Sequence, residues 1–195
     1  MVFKIILLGN AGVGKSLFVQ NLLTITDNKK KIKVDFNTNK YIMDYNNSTF
    51  EIYDTKSRTY FESLRSDYYD NVSGIIIIFN PGDKNSVIDD LNVWINELKN
   101  NNIYNIPLIL LGNNFTNAID DTVQKDLFEI ASKLTHAYNV LFVNYNIKED
   151  NIEILDNLMQ NFRKKLLINE KTSILSFDLS KKDIAKKCCF CCNVS

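Results

Sequence analysis

The residues whose types and spacing can do chemistry lie near the start, at Gly9-Asn10-Ala11-Gly12-Val13-Gly14-Lys15-Ser16. They satisfy G-x-x-x-x-G-K-[ST], a phosphate-binding pattern with a physical basis. Glycines let successive backbone N–H groups turn inward around phosphate oxygens, and the start of a following helix adds partial positive charge. Lys15 is placed to reach the outer phosphates, and the Ser16 hydroxyl to ligate Mg²⁺. Leu17, the next residue, completes the nucleotide-binding set. Further along, Asp54 ends the apolar run Thr49 to Asp54, where a second metal-holding carboxylate belongs.

These residues need a frame. Val2 to Leu8, nearly all apolar and branched, reads as a buried strand feeding the glycine loop, and Leu17 to Leu23 as the helix leaving it. Lys29 to Lys31 read as a polar loop. Val34 to Asp44 and Thr49 to Asp54 read as two strands joined by a hairpin turn at Tyr45-Asn46-Asn47-Ser48. Arg58 to Tyr69 reads as helical. Gly74 to Phe79, Pro107 to Gly112 and Val140 to Val143 are further strands. Val87 to Leu98, Thr122 to His136 and Ile152 to Leu167 are helices. The apolar stripes Leu91, Trp94, Ile95, Leu98 and Leu155, Leu158, Met159, Phe162, Leu166 are core faces. Strands alternating with helices predict an α/β fold. Its sheet is six-stranded and mostly parallel with helices on both faces, and ligand binds beyond the carboxyl ends of the strands. One domain is expected over residues 1–168 and a flexible tail over 169–195.

Composition is that of a globular chain, 45% hydrophobic and 24% charged, with formal net charge zero. No global basic field points to nucleic acid, so no nucleic-acid partner is expected. Charge is uneven, however: Arg163 to Lys187 holds eight basic and three acidic residues. Asparagine clusters such as Asn100-Asn101-Asn102 read as loop tips. No run of eighteen apolar residues suggests a membrane span. The first apolar run is the loop's own strand, so no signal peptide is expected, and Val2 excludes N-myristoylation. All four cysteines fall in the last eight residues, which suits a reducing compartment and a modified tail better than a disulfide framework or zinc site.

In order and spacing the chain resembles a Ras-superfamily small GTPase, the Rab branch most closely. The resemblance covers roughly residues 2 to 168 and the tail. The phosphate loop matches, and Val34-Asp35-Phe36 is similar to the Rab V-D-F. Asp54-Thr55 stands where the family has D-T-A-G-Q, and Asp67-Tyr68-Tyr69 resembles the Rab Y-Y stretch. Trp94 matches a tryptophan common in Rab helices. Gly112-Asn113 opens like G-N-K-x-D. The resemblance implies the G-domain version of the P-loop NTPase fold, GTP and GDP as ligands, and Mg²⁺ held by Ser16 and Asp54. It also implies base contacts from Asn113 and Asn114.

The chain departs from the pattern at several points. The switch threonine that bonds Mg²⁺ and the γ-phosphate falls at Lys31 or Ile32, and lysine has no acceptor for a cation. D-T-A-G-Q-E becomes Asp54-Thr55-Lys56-Ser57-Arg58-Thr59, so Arg58 replaces the glutamine that orients attacking water. Arginine donates only, so no confident catalytic residue is assigned, and hydrolysis is expected to be slow or absent. Arg58 either stabilises phosphate charge or is a solvated helix-start residue. Asn114 replaces the lysine of N-K-x-D and Thr116 the aspartate. A threonine hydroxyl cannot accept two hydrogen bonds from guanine. Asp120 and Asp121 read as helix N-cap residues. No S-A-K motif is recognisable at Asn144-Tyr145-Asn146.

The end, Cys188-Cys189-Phe190-Cys191-Cys192-Asn193-Val194-Ser195, supports lipidation. Cys192 opens a loose C-a-a-X, and Cys191-Cys192 resembles the paired cysteines that Rab proteins prenylate. Lys181, Lys182, Lys186 and Lys187 supply a second, electrostatic membrane signal. The resemblance implies a membrane-trafficking switch on the cytoplasmic face of an endomembrane, with a soluble cytosolic pool. Protein effectors and a prenyl-binding chaperone would be its partners. The alternative is a membrane-tethered pseudoGTPase, locked or non-hydrolysing, that serves as an interaction module.

Overall fold

The computed structural model describes residues 1–26, 29–33, 38–55, 67–82, 91–113, 125, 129, 139–145 and 152–190. β1 (Val2–Leu8) feeds α1 (Lys15–Leu22), which closes in a short 3₁₀ turn at Leu23–Ile25. β2 (Lys29–Lys33), β3 (Thr38–Tyr45), β4 (Ser48–Thr55) and β5 (Gly74–Phe79) follow. Then come α2 (Leu91–Asn100), β6 (Pro107–Asn113), β7 (Asn139–Tyr145) and α3 (Ile152–Phe190). The strands form one sheet in the order β2-β3-β4-β1-β5-β6-β7. Pairing is parallel from β4 through β7 and antiparallel in β2-β3 and β3-β4.

The alternation of side chains divides two cores across this sheet. Ile5, Leu7, Ile76, Ile78, Ile109 and Leu111 face α1 and α3, where Phe18, Leu22, Met159 and Phe162 meet them. Ile6, Leu8, Ile75, Ile77, Leu108 and Leu110 face α2, with Trp94 and Leu98. β5 and β6 are buried at every position. Covering both faces of a parallel sheet requires such unbroken apolar runs, which is why these strands are legible in sequence. At the centre α3 packs tightly. A Cβ on Gly74 would come within 2.7 Å of Phe162 Cζ and 2.9 Å of Leu166 Cδ2.

The mostly parallel α/β sheet stands as expected, but among the described residues it has seven strands where the sequence reading gives six. The added one is Lys29–Lys33, whose first three residues read as a polar loop and which is found paired antiparallel to β3. Edge strands have one neighbour and carry lysine readily, so an apolar pattern is not required of them. β3 is described from Thr38, and the expected start at Val34 falls on residues 34–37, which lie outside the described residues. The Asn46-Asn47 turn has φ of 47° and 61°, the double left-handed geometry that suits a two-residue hairpin. Asn102 and Asn105 also adopt positive φ, at turns.

α3 continues past Leu167 to Phe190. Its 39 residues contain neither glycine nor proline, so nothing in the sequence breaks the helix. Two ties bind its first turns to the β3–β4 turn. The Tyr45 hydroxyl donates to Asp156 Oδ1, and Arg163 Nε donates to Ser48 Oγ at 2.9 Å. Of the other expected helices, α2 is described from Leu91, and Asp67–Tyr69 and positions 125 and 129 are helical. No helix among the described residues is long and apolar enough to cross a membrane.

Candidate functional site

The glycine loop emerges where β1 ends, at the carboxyl edge of the parallel strands. Gly9 takes φ 138°, and a Cβ there would lie 2.1 Å from the Ile78 carbonyl oxygen of β5. Close approach of two backbones thus excludes any other residue. Gly12 at φ 80° has open space around its α-carbon, so its requirement is conformational. Gly14 at φ 95° caps α1 without a side-chain hydrogen bond to the helix. No side chain of the cap residue takes up the first helical N–H groups, which suits an anion at that end.

Lys15 is 8% exposed, and its ammonium donates to Gly9 O at 2.7 Å and Asn10 O at 2.8 Å. The charge therefore lies across the loop it belongs to. Asn10 is half-buried, Ala11 and Gly12 are exposed, Val13 is in the core and Leu17 is exposed. Ser16 Oγ donates to Asp54 Oδ2 at 2.6 Å, bringing together the hydroxyl and the carboxylate read as metal ligands. Asp54 is buried, and next to it Thr55 Oγ1 donates to Leu7 O at 2.7 Å, pinning the end of β4 to β1. Asn113, fully buried at the end of β6, donates through Nδ2 to Val13 O at 2.7 Å. It braces the loop from the side, a role that its place in a base-reading motif does not reveal.

The donor set fits a magnesium ion carried by phosphates. Mg²⁺ keeps several waters and takes only one or two protein oxygens beside substrate phosphates. A hydroxyl and a carboxylate within hydrogen-bonding reach of each other meet that need. Among the described residues there is no cluster of three His, Cys, Asp or Glu side chains, as would suit a metal held by protein alone. Arg58, Asn114, Thr116, Asp120, Asp121, Asn146, Cys191 and Cys192 lie outside the described residues. Asn144 and Tyr145 end β7, paired with Gly112 and Asn113.

A strand, a glycine loop with a buried lysine, a helix, and a serine–aspartate pair on a mostly parallel sheet define a P-loop α/β protein of the small-GTPase type. The chain matches the Ras family model over residues 4–183, and it belongs to that family, as a divergent Rab-like member. It is similar to Ras-related protein Rab11A of Lotus japonicus, 32% identical over 116 residues, 57% of this chain and 50% of that protein. GTP-binding protein ypt1 of Schizosaccharomyces pombe is 27% identical over 158 residues, 78% of this chain and 75% of that protein. Ras and EF-hand domain-containing protein homolog of Mus musculus is 24% identical over 98% of this chain but only 32% of its own length. The chain thus spans half or less of two of these relatives.

Proposed function

We propose that the chain is a Rab-like nucleotide switch that binds GDP and GTP with Mg²⁺ at residues 9–17, Asp54, Asn113 and Asn114. The observation that carries this reading is the convergence of the buried Lys15 ammonium and the Ser16–Asp54 pair on one glycine loop. The loop backbone and Lys15 bind the phosphates, while Ser16 and Asp54 hold the metal against them. Asn113 fixes the loop through Val13 and bears on the base side. Hydrolysis is slow without help, because Arg58 cannot orient water as glutamine does.

Membership of the Rab-like group supports a role in membrane traffic at the level of the family. On this reading the domain, residues 1–168, works on the cytoplasmic face of an endomembrane. Residues 169–195 attach it through prenylated Cys191 and Cys192, and a prenyl-binding chaperone maintains a cytosolic pool. Protein effectors meet the switch side. There, on the sheet face opposite α1, the Tyr53 ring meets that of Tyr68 at a tilt, with centroids 5.8 Å apart, and lies beneath the Lys4 and Lys40 ammonium groups.

The test is nucleotide content and selectivity. Whatever copurifies is released and identified, and GDP, GTP and ATP are then titrated with Mg²⁺. Guanine-selective binding is expected. Binding without base preference, or none, would replace the switch with a membrane-tethered interaction module.

A further inference from the structure

Strand register places one more polar side chain beside the metal pair. In the antiparallel β3–β4 ladder Asn39 stands directly opposite Asp54. Directly opposed residues share a face, with Cβ atoms about 4.5–5.5 Å apart. The next pairs on that face are Tyr41 with Ile52 and Met43 with Phe50, all buried in the core beneath α1 and α3. Asn39 and Asp54 extend the same row past the apolar core, to the end where Ser16 reaches Asp54. Asp54 is buried and Asn39 half-buried. Lys31, one of the two positions that fall in the slot of the family's switch threonine, pairs instead with Tyr41 and so stands on the row of Ile52, below that of Asp54.

We propose that Asn39 is a further residue of the metal–phosphate pole, with its amide oxygen accepting from the water shell of the ion. This rests on the nucleotide reading above. A side-chain amide is chemically suited to the task. Its carbonyl oxygen is a hard acceptor of the kind magnesium and its waters prefer, and its NH₂ can donate to a phosphate oxygen. A half-buried site beside a carboxylate strengthens such contacts over those in bulk water. Asn39 touches the water shell of the ion rather than replacing Ser16 or Asp54 as a holder of the metal.

The experiment follows release of a fluorescent guanosine diphosphate from the full chain as Mg²⁺ is varied, and again in excess chelator. Wild type is compared with Asn39→Leu, Asn39→Asp and Asn39→Thr. Asn39→Leu should raise the Mg²⁺ needed for half-maximal retention by about tenfold, the scale of one charge-assisted contact. In chelator it should release at the wild-type rate. Asn39→Asp, similar in shape, should need less Mg²⁺, and Asn39→Thr, which keeps an oxygen, should fall between wild type and the leucine variant. An unchanged Mg²⁺ half-point in both Asn39→Leu and Asn39→Asp overturns the assignment while nucleotide binding stands. Equal acceleration with and without chelator overturns it too, since that marks a packing role. A wild type that binds no guanosine diphosphate overturns the switch reading together with this one.

Discussion

Lys15 is 8% exposed, and two backbone carbonyls accept from its ammonium. Burying a cation costs several kcal/mol, and a phosphate in the loop would offset that cost. Lys15→Ala is therefore expected to lower nucleotide affinity by about a hundredfold, the loss of a charge-assisted contact of about 3 kcal/mol. It should leave thermal unfolding of the empty protein nearly unchanged. Equilibrium titration and a melt together check this, and full affinity in the variant would sink the assignment of the loop. The residue types at this site are legible because phosphate chemistry demands them at fixed spacing. The Asn113 bond to Val13 is not, because it joins positions a hundred residues apart. Asn39 is invisible for the same reason: it gains meaning only when register sets it opposite Asp54.

At the scale of elements, the hairpin of β3 and β4 has the metal pair at one end and its turn at the other. The turn end is clamped to α3 through Tyr45–Asp156 and Arg163–Ser48. Burial, with the Asp156 carboxylate as hydrogen-bond acceptor, pushes the Tyr45 hydroxyl up from 10.0 to about 12. The folded value exceeds the unfolded one, so the fold favours the neutral phenol. Its stabilisation is complete below about pH 10 and is lost as pH rises through about 12. Melting temperature should therefore fall more steeply between pH 10 and 12 in wild type than in Tyr45→Phe. Near neutrality the variant should be less stable by about 1 kcal/mol from the lost hydrogen bond. Parallel slopes for the two proteins would dissolve the clamp. Where elements were legible in the sequence, apolar period carried the signal, as in β1, β5, β6 and the stripes of α2 and α3. β2 escaped because four of its five residues are lysine, so no apolar period marks it, and its pairing with β3 defines it. The end of α3 escaped because a fading apolar period does not end a helix that no glycine or proline interrupts.

For the whole molecule, the decisive asymmetry is charge. Net charge is zero, yet the stretch from Arg163 to Lys187 carries an excess of five positive charges, all along α3. At 1.5 Å per residue α3 is about 58 Å long, well beyond the span of its packed stripe from Leu155 to Leu166. The basic residues and Cys188 and Cys189 thus continue the element that the Tyr45 and Arg163 clamp fixes to the sheet. Each lysine near an anionic leaflet contributes about 1 kcal/mol, so Lys181, Lys182, Lys186 and Lys187 together supply about 4 kcal/mol before screening. That is weak alone, and a single lipid chain is weak alone, but the two together anchor stably. Changing Cys191 and Cys192 to serine should therefore shift the protein from the membrane pellet to the supernatant, leaving a residue of binding that disappears in high salt. Changing the four lysines to glutamine should instead weaken attachment partially, with salt no longer mattering. If the double serine variant pellets like wild type, neither cysteine is the anchor. If the lysine variant keeps its salt dependence, the basic stretch serves something other than the leaflet.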